Sequence, residues 1–181
     1  LSITANTVNK IYGDVLTNGS GKTAFTSSGL VSGETIASVT LTYGTGAAGT
    51  DPVAATNVGG IVASAPVAGV GFNPSNYAIT YTGTDLNVTP RTLNINANHV
   101  SKTTGAVLTG GSGSTDFVAT GLQNGETAGT VTITYTGVGP TAPATAGVYS
   151  GSVVPSALTG GSITPTNYAI NYIAGDITVS A

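Results

Sequence analysis

The sequence predicts a mainly β protein built from two tandem copies of one small module. Three observations carry this: apolar and polar residues alternate in short runs, helix signals are scarce, and the first half of the chain repeats in the second. Alternation places every second side chain on one face of a strand. In Val39-Thr-Leu-Thr-Tyr43, Val39, Leu41 and Tyr43 share a face. In Tyr77-Ala-Ile-Thr-Tyr81 the tyrosines flank Ile79. Leu86 and Val88 alternate with Asn87 and Thr89, and Leu93, Ile95 and Ala97 with asparagines. These runs are rich in β-branched and aromatic residues, which suit a pleated surface. Thr82-Gly-Thr-Asp85 and Ile173-Ala-Gly-Asp176 read as tight hairpins between strands. The best helix signal is Ser32-Gly-Glu-Thr-Ile-Ala37, with its twin Asn124-Gly-Glu-Thr-Ala128, enough for one short turn. Residues 44–56 and 137–146 read as loops. The expected core is Phe25, Leu41, Tyr43 and Ile79, with Phe117, Ile133, Tyr135 and Ile170 in the second copy.

The repeat is legible residue by residue. Leu1-Ser-Ile-Thr-Ala-Asn-Thr-Val-Asn-Lys10 matches Leu93-Asn-Ile-Asn-Ala-Asn-His-Val-Ser-Lys102. Val15-Leu-Thr-Asn-Gly-Ser-Gly21 matches Val107-Leu-Thr-Gly-Gly-Ser-Gly113, and Val39–Tyr43 matches Val131–Tyr135. Asn76-Tyr-Ala-Ile-Thr-Tyr81 matches Asn167-Tyr-Ala-Ile-Asn-Tyr172 with the register slipped by one residue. The Gly/Ala/Pro-rich stretch 44–60 is the expected place for that slip. The modules are therefore 1–90 and 91–181. No Gly/Ser tract separates them. Pro90 fixes one φ and biases Thr89 toward extended backbone, so a semi-rigid rod of beads is expected.

Charged residues are only 6% of the chain, with 27 glycines and no cysteine or methionine. Soluble proteins usually carry about 25% charge, so hydroxyls and amides must keep this one in solution. Apolar residues at 40% in strand-like patterns argue against disorder. A net charge of −3 without a basic patch argues against nucleic acid as a partner. No disulfide or thiolate metal site is available. With no initiator Met, no signal peptide and no apolar run of about 18 residues, the chain is expected to be an internal piece of a larger secreted or surface protein, without direct membrane insertion.

Lys10-Ile-Tyr-Gly-Asp14, Gly29-Leu-Val-Ser-Gly-Glu34, Ser75-Asn-Tyr-Ala-Ile79 and Leu86-Asn-Val-Thr-Pro90 occur in this order. They resemble the tandem glycine-rich MBG domains of the YGX type, found in large bacterial adhesins and filamentous-haemagglutinin-like surface proteins. The resemblance spans the whole chain twice. The second copy departs at Thr104-Gly-Ala106, where the first has Tyr12-Gly-Asp14. The resemblance implies a stalk or adhesin architecture and a β-grasp-like fold; an immunoglobulin-like sandwich would give similar strand spacing.

Candidate chemistry is sparse. His99 stands alone, opposite Thr7 in the other copy, and suggests a solvated side chain rather than a metal ligand or triad member. The seven carboxylates, Asp14, Glu34, Asp51, Asp85, Asp116, Glu126 and Asp176, are dispersed, which disfavours calcium and a glycosidase pair. No catalytic residue, cofactor or metal is assigned. Lys10 and Glu34 recur as Lys102 and Glu126. An ion pair or solvated side chains are the ordinary expectation for them; a Lys–Asn isopeptide cross-link promoted by a buried acid is the sharper one. Tyr77 and Tyr81, with Tyr168 and Tyr172, are candidate ligand contacts, although core packing is expected to claim the tyrosines first. Threonine arrays such as 130–136 are expected to face solvent rather than ice. The expected function is a structural repeat in a long extracellular adhesin or surface filament, flanked by neighbouring repeats. The alternative is an adhesion module that grips a host or matrix glycan or protein.

Overall fold

Most of the alternating segments become strands. A computed structural model describes residues 1–54 and 60–181, so positions 55 and 56 of the expected loop lie outside the described residues. The chain is mainly β and divides into two compact units, Leu1–Pro90 and Arg91–Ala181. The first unit holds β1 (Ser2–Ala5), β2 (Val8–Ile11), β3 (Gly19–Lys22), β4 (Phe25–Ser28), β5 (Ile36–Tyr43), β6 (Ile61–Ala68), β7 (Thr80–Thr82) and β8 (Leu86–Thr89). The second holds β9 (Arg91–Ala97), β10 (Val100–Thr103), β11 (Gly111–Ser114), β12 (Phe117–Thr120), β13 (Ala128–Tyr135), β14 (Gly147–Gly161), β15 (Tyr168–Ile173) and β16 (Gly175–Ser180). Helical structure among the described residues is limited to the 3-10 turns Pro74–Asn76 and Pro165–Asn167, each opened by a proline whose missing N–H costs nothing at that position. The expected helical turn at 32–37 is instead a backbone turn leading straight into β5.

Each unit has two sheets. One is β4-β1-β7, or β12-β9-β15 in the second unit. The other is continuous in the second unit as β10-β16-β14-β13-β11. In the first it comprises β2-β8 and β3-β5-β6, joined by bridges from Ile61 to Thr84 and from Ala54 to Val88. Inward residues of both sheets meet in one core: Ile3 and Ala5 from β1, Val39 and Leu41 from β5, Ile61 and Ala63 from β6, and Leu86 from β8. The second unit buries Leu93, Ile95, Val131, Ile133, Val153 and Ile177 in the corresponding strands. Each such side chain contributes about 1.5–3 kcal/mol by leaving water. The aromatic residues of the expected core, with Ile79 and Ile170, are only partly buried. Phe25, Tyr43 and Ile79 pack against the rim of the aliphatic cluster, and Phe117, Tyr135 and Ile170 are likewise half-exposed.

The strands that begin and end each unit are parallel neighbours. Ser2 lies opposite Thr80 and Thr4 opposite Thr82, then Val8 opposite Leu86 and Ile11 opposite Thr89, a constant separation of 78 residues. In the second unit Arg91 lies opposite Tyr168 and Thr103 opposite Ser180, at a constant 77. The pair turns from one sheet into the other together, as strands do at the corners of packed sheets. At the corner Asn6 N–H donates to Ala24 O and Asn98 N–H to Asp116 O, both at 3.0 Å. A Cβ on Gly175 would meet Ala97 O at 2.7 Å, so β16 passes this close only because glycine stands there.

This geometry corrects two expectations. Thr82–Asp85 and Ile173–Asp176 are not hairpins, because the strands they join lie in different sheets and each pairs with an N-terminal strand. The register slip is also elsewhere. Tyr43 pairs with Ile61 and Tyr135 with Val153, so the connections of β5 to β6 and of β13 to β14 have the same length. Six residues separate Val67 from Pro74, but five separate Thr159 from Pro165, which puts the extra residue after β6.

Candidate functional site

Lys10 occupies an inward position of β2 and is 3% exposed. Its Nζ donates to Asp14 O at 2.9 Å and to Ala48 O. A buried ammonium needs such acceptors, because transfer from water is otherwise costly. Burial pushes the Lys10 pKa down from its ordinary value, opposed by the carboxylates of Asp51 and Asp14. Asp51 also shapes the loop that Lys10 holds, its Oδ2 accepting Gly46 N–H at 2.8 Å and Ala48 N–H at 2.9 Å. Lys102, on β10, repeats the lock by donating to Ala106 O at 2.8 Å and Thr141 O at 2.6 Å. Neither acid is repeated. Ala106 replaces Asp14, and Ala144, whose N–H bonds Thr141 O as that of Asp51 bonds Ala48 O, replaces Asp51.

The two recurring glutamates serve a different device. Val31 N–H donates to the Tyr77 hydroxyl at 3.0 Å, and that hydroxyl donates to Glu34 Oε2. Glu34 N–H closes the turn on Val31 O at 3.0 Å. In the second unit Gln123 N–H donates to the Tyr168 hydroxyl at 3.0 Å, the hydroxyl donates to Glu126 Oε2, and Glu126 N–H closes on Gln123 O at 2.8 Å. The hydrogen bond to Glu34 holds the Tyr77 hydroxyl above its ordinary pKa, and the Val31 N–H opposes it. The structure thus joins each glutamate to a tyrosine and each lysine to two carbonyls, so the four residues singled out as lysine–acid pairs divide between two devices.

The four candidate tyrosines divide as well. Tyr77 and Tyr168 form the clamps. Tyr81 and Tyr172 are 37% and 40% exposed. The Tyr172 hydroxyl accepts Leu158 N–H at 2.8 Å, beside Ala157, whose φ of 48° kinks β14. Ala65 makes the same kink in β6 at φ 44°. The next residue there is Pro66, which has no N–H to give Tyr81. His99 lies exposed at the corner, its Nδ1 accepting Asp176 N–H at 2.9 Å. Among the described residues no three His, Asp or Glu side chains gather in one place.

Sequence reasoning passed over Asn18. Its Oδ1 accepts Tyr43 N–H at 2.7 Å at the edge of β5. The matching position is Gly110, and beside it lies a cleft of about 580 Å³ walled by Val107, Leu108, Gly110, Tyr135, Pro140 and Ala142. The signal was present in the repeat, where Asn18 faces Gly110 inside an otherwise matching run. No family model, curated protein or solved structure matches the chain.

Proposed function

We propose that the chain is a tension-transmitting spacer: a pair of MBG-type repeats in a long extracellular bacterial adhesin or surface filament. One observation carries the reading. In each unit the strands nearest its two ends are parallel partners in constant register on both sides of the corner: Ser2–Thr4 against Thr80–Thr82 and Val8–Ile11 against Leu86–Thr89 in the first, Arg91–Asn96 against Tyr168–Ile173 and Val100–Thr103 against Ile177–Ser180 in the second. Pulling a unit by its two ends drives parallel neighbours past one another, so their hydrogen bonds are loaded together rather than one at a time. The duplicated polar side chains support a structural rather than catalytic reading, because both lysine locks and both tyrosine clamps grip the chain's own backbone. A surface with so little charge suits a spacer that must behave alike across salt conditions. Two sheets closing over one core favour the sandwich as each unit's finer architecture, here with parallel terminal strands.

Force spectroscopy tests this. Pulled by its termini, the chain is expected to unfold in two events, each releasing roughly 300 Å at about 3.4 Å per residue. The chain has no native cysteine, so cysteine handles at Ala37→Cys and Ala68→Cys would instead peel β5 from β6, where Ile36 pairs with Ala68. The terminal geometry should require clearly the higher force. Equal forces in the two geometries would remove the basis of the proposal.

A further inference from the structure

We infer that the second unit binds the acetamido group of N-acetylated amino sugars in the cleft beside β13. This goes beyond the spacer reading and does not depend on it. In the first unit Asn18 rests its carboxamide at the edge of β5, where Oδ1 accepts Tyr43 N–H at 2.7 Å. A carboxamide on a methylene is chemically an acetamide, so this unit fills the seat with its own side chain. In the second unit Gly110 stands at that position, and a Cβ there would lie 2.2 Å from Ile133 O, so no side chain can be seated on this backbone. Tyr135 N–H nonetheless points to the same side. The next residue, Thr136, donates to Ser152 O on the β14 side at 2.9 Å, and successive N–H groups alternate in direction along a strand.

The missing side chain leaves the cleft of about 580 Å³, within the roughly 300–1,000 Å³ usual for small-ligand sites. An acetamido carbonyl would accept Tyr135 N–H as Asn18 accepts Tyr43 N–H. Its methyl would lie against Val107, Leu108, Pro140 and Ala142. The half-exposed Tyr135 ring offers an apolar face to the pyranose. No lining residue is charged, which suits a neutral N-acetylated sugar over a phosphorylated or acidic one.

The test is an amide-resolved NMR titration of the whole chain with triacetylchitotriose, beside cellotriose and the deacetylated trimer. A saturable shift of the Tyr135 amide is expected, with the acetylated trimer bound at least about tenfold more tightly than either control, as loss of a hydrogen bond implies. Ala142→Trp, at the exposed rim, should weaken binding at least about tenfold while the rest of the spectrum stays unchanged. Asn18→Gly should open the seat in the first unit, so that the Tyr43 amide also shifts and the stoichiometry rises from one to about two, each seat being of the same kind. Equal affinity for cellotriose, shifts that map away from Tyr135, or an Ala142→Trp chain that binds normally would overturn the site. A stoichiometry that stays at one in Asn18→Gly would overturn the role given to Asn18, and tighter binding of an asparagine-bearing peptide would assign the cleft to polypeptide instead.

Discussion

At the scale of residues, Lys10, Lys102, Asp51 and Asp176 each hold backbone groups with a charged side chain. Lys10 and Glu34 stood out because charge is rare and both recur. Their partners were not legible, because they depend on which carbonyl or hydroxyl the fold brings near. Lys10 reaches a loop 38 residues away and Tyr77 a turn 43 residues away. The pH response separates the two devices. Lys10 is held below the ordinary value of 10.5, so its penalty is fully present at neutral pH and is relieved as pH rises toward that value. Tyr77 is held above 10.0, so stability is lost once the unfolded state begins to ionise near that pH. Lys10 therefore contributes a rise in stability as pH climbs toward 10.5, and Tyr77 a fall that sets in near 10.0. Lys10→Met should abolish the rise and Tyr77→Phe the fall in denaturant titrations across alkaline pH; a profile unchanged in both variants would contradict these assignments. In the second unit Tyr168 is 6% exposed. Tyr168→Phe leaves Gln123 N–H and Glu126 without that hydroxyl, and should cost about 1.5–3 kcal/mol as a hydrogen bond to a charged group.

At the scale of elements, strands were legible and their partners were not. Alternation at Val39–Tyr43 and Leu93–Ala97 marked β5 and β9 because a half-buried sheet demands that period. Thr82–Asp85 looked like a hairpin because four residues with a glycine commonly make one. The competing parallel partner of β7 lies 78 residues back in β1, beyond the reach of any local pattern. Phe25 and Tyr43 were expected inside, but Ile3, Val39, Leu41, Ile61 and Leu86 fill the centre, and both rings finish at the rim, as does Ile79. The kinks in β6 and β14 offer a paired test. Tyr172 accepts Leu158 N–H beyond Ala157, whereas the proline after Ala65 has no N–H for Tyr81. Tyr172→Phe should thus destabilise the second unit by about 0.5–1.5 kcal/mol. Tyr81→Phe should leave the first unit's stability close to unchanged. Equal losses in the two variants would show that the hydroxyls do something other than hold the kinks.

At the scale of the whole molecule, the chain divides into two compact units, Leu1–Pro90 and Arg91–Ala181, and each buries aliphatic side chains of its own strands. Every core cluster residue of the first unit, from Ile3 to Leu86, lies within Leu1–Pro90. The proposed spacer function would gain from units that unfold independently, since one unit would then yield and refold while its neighbour stayed intact. The corresponding prediction is that the units unfold as separate two-state transitions. Leu41 is 1% exposed and Ile133 4% exposed, at matching positions of β5 and β13. Leu41→Ala should lower the first unit's stability by about 2–5 kcal/mol, the usual cost of removing a buried aliphatic side chain and leaving a cavity. The Tyr168 and Ile170 resonances of the second unit should keep their original midpoint in the same denaturant series. Ile133→Ala should do the converse, shifting the second unit and sparing Tyr43 and Ile79. If either substitution moved both sets of resonances together by the same free energy, the chain would be one cooperative body, and yielding of one unit alone under load would not be available to it.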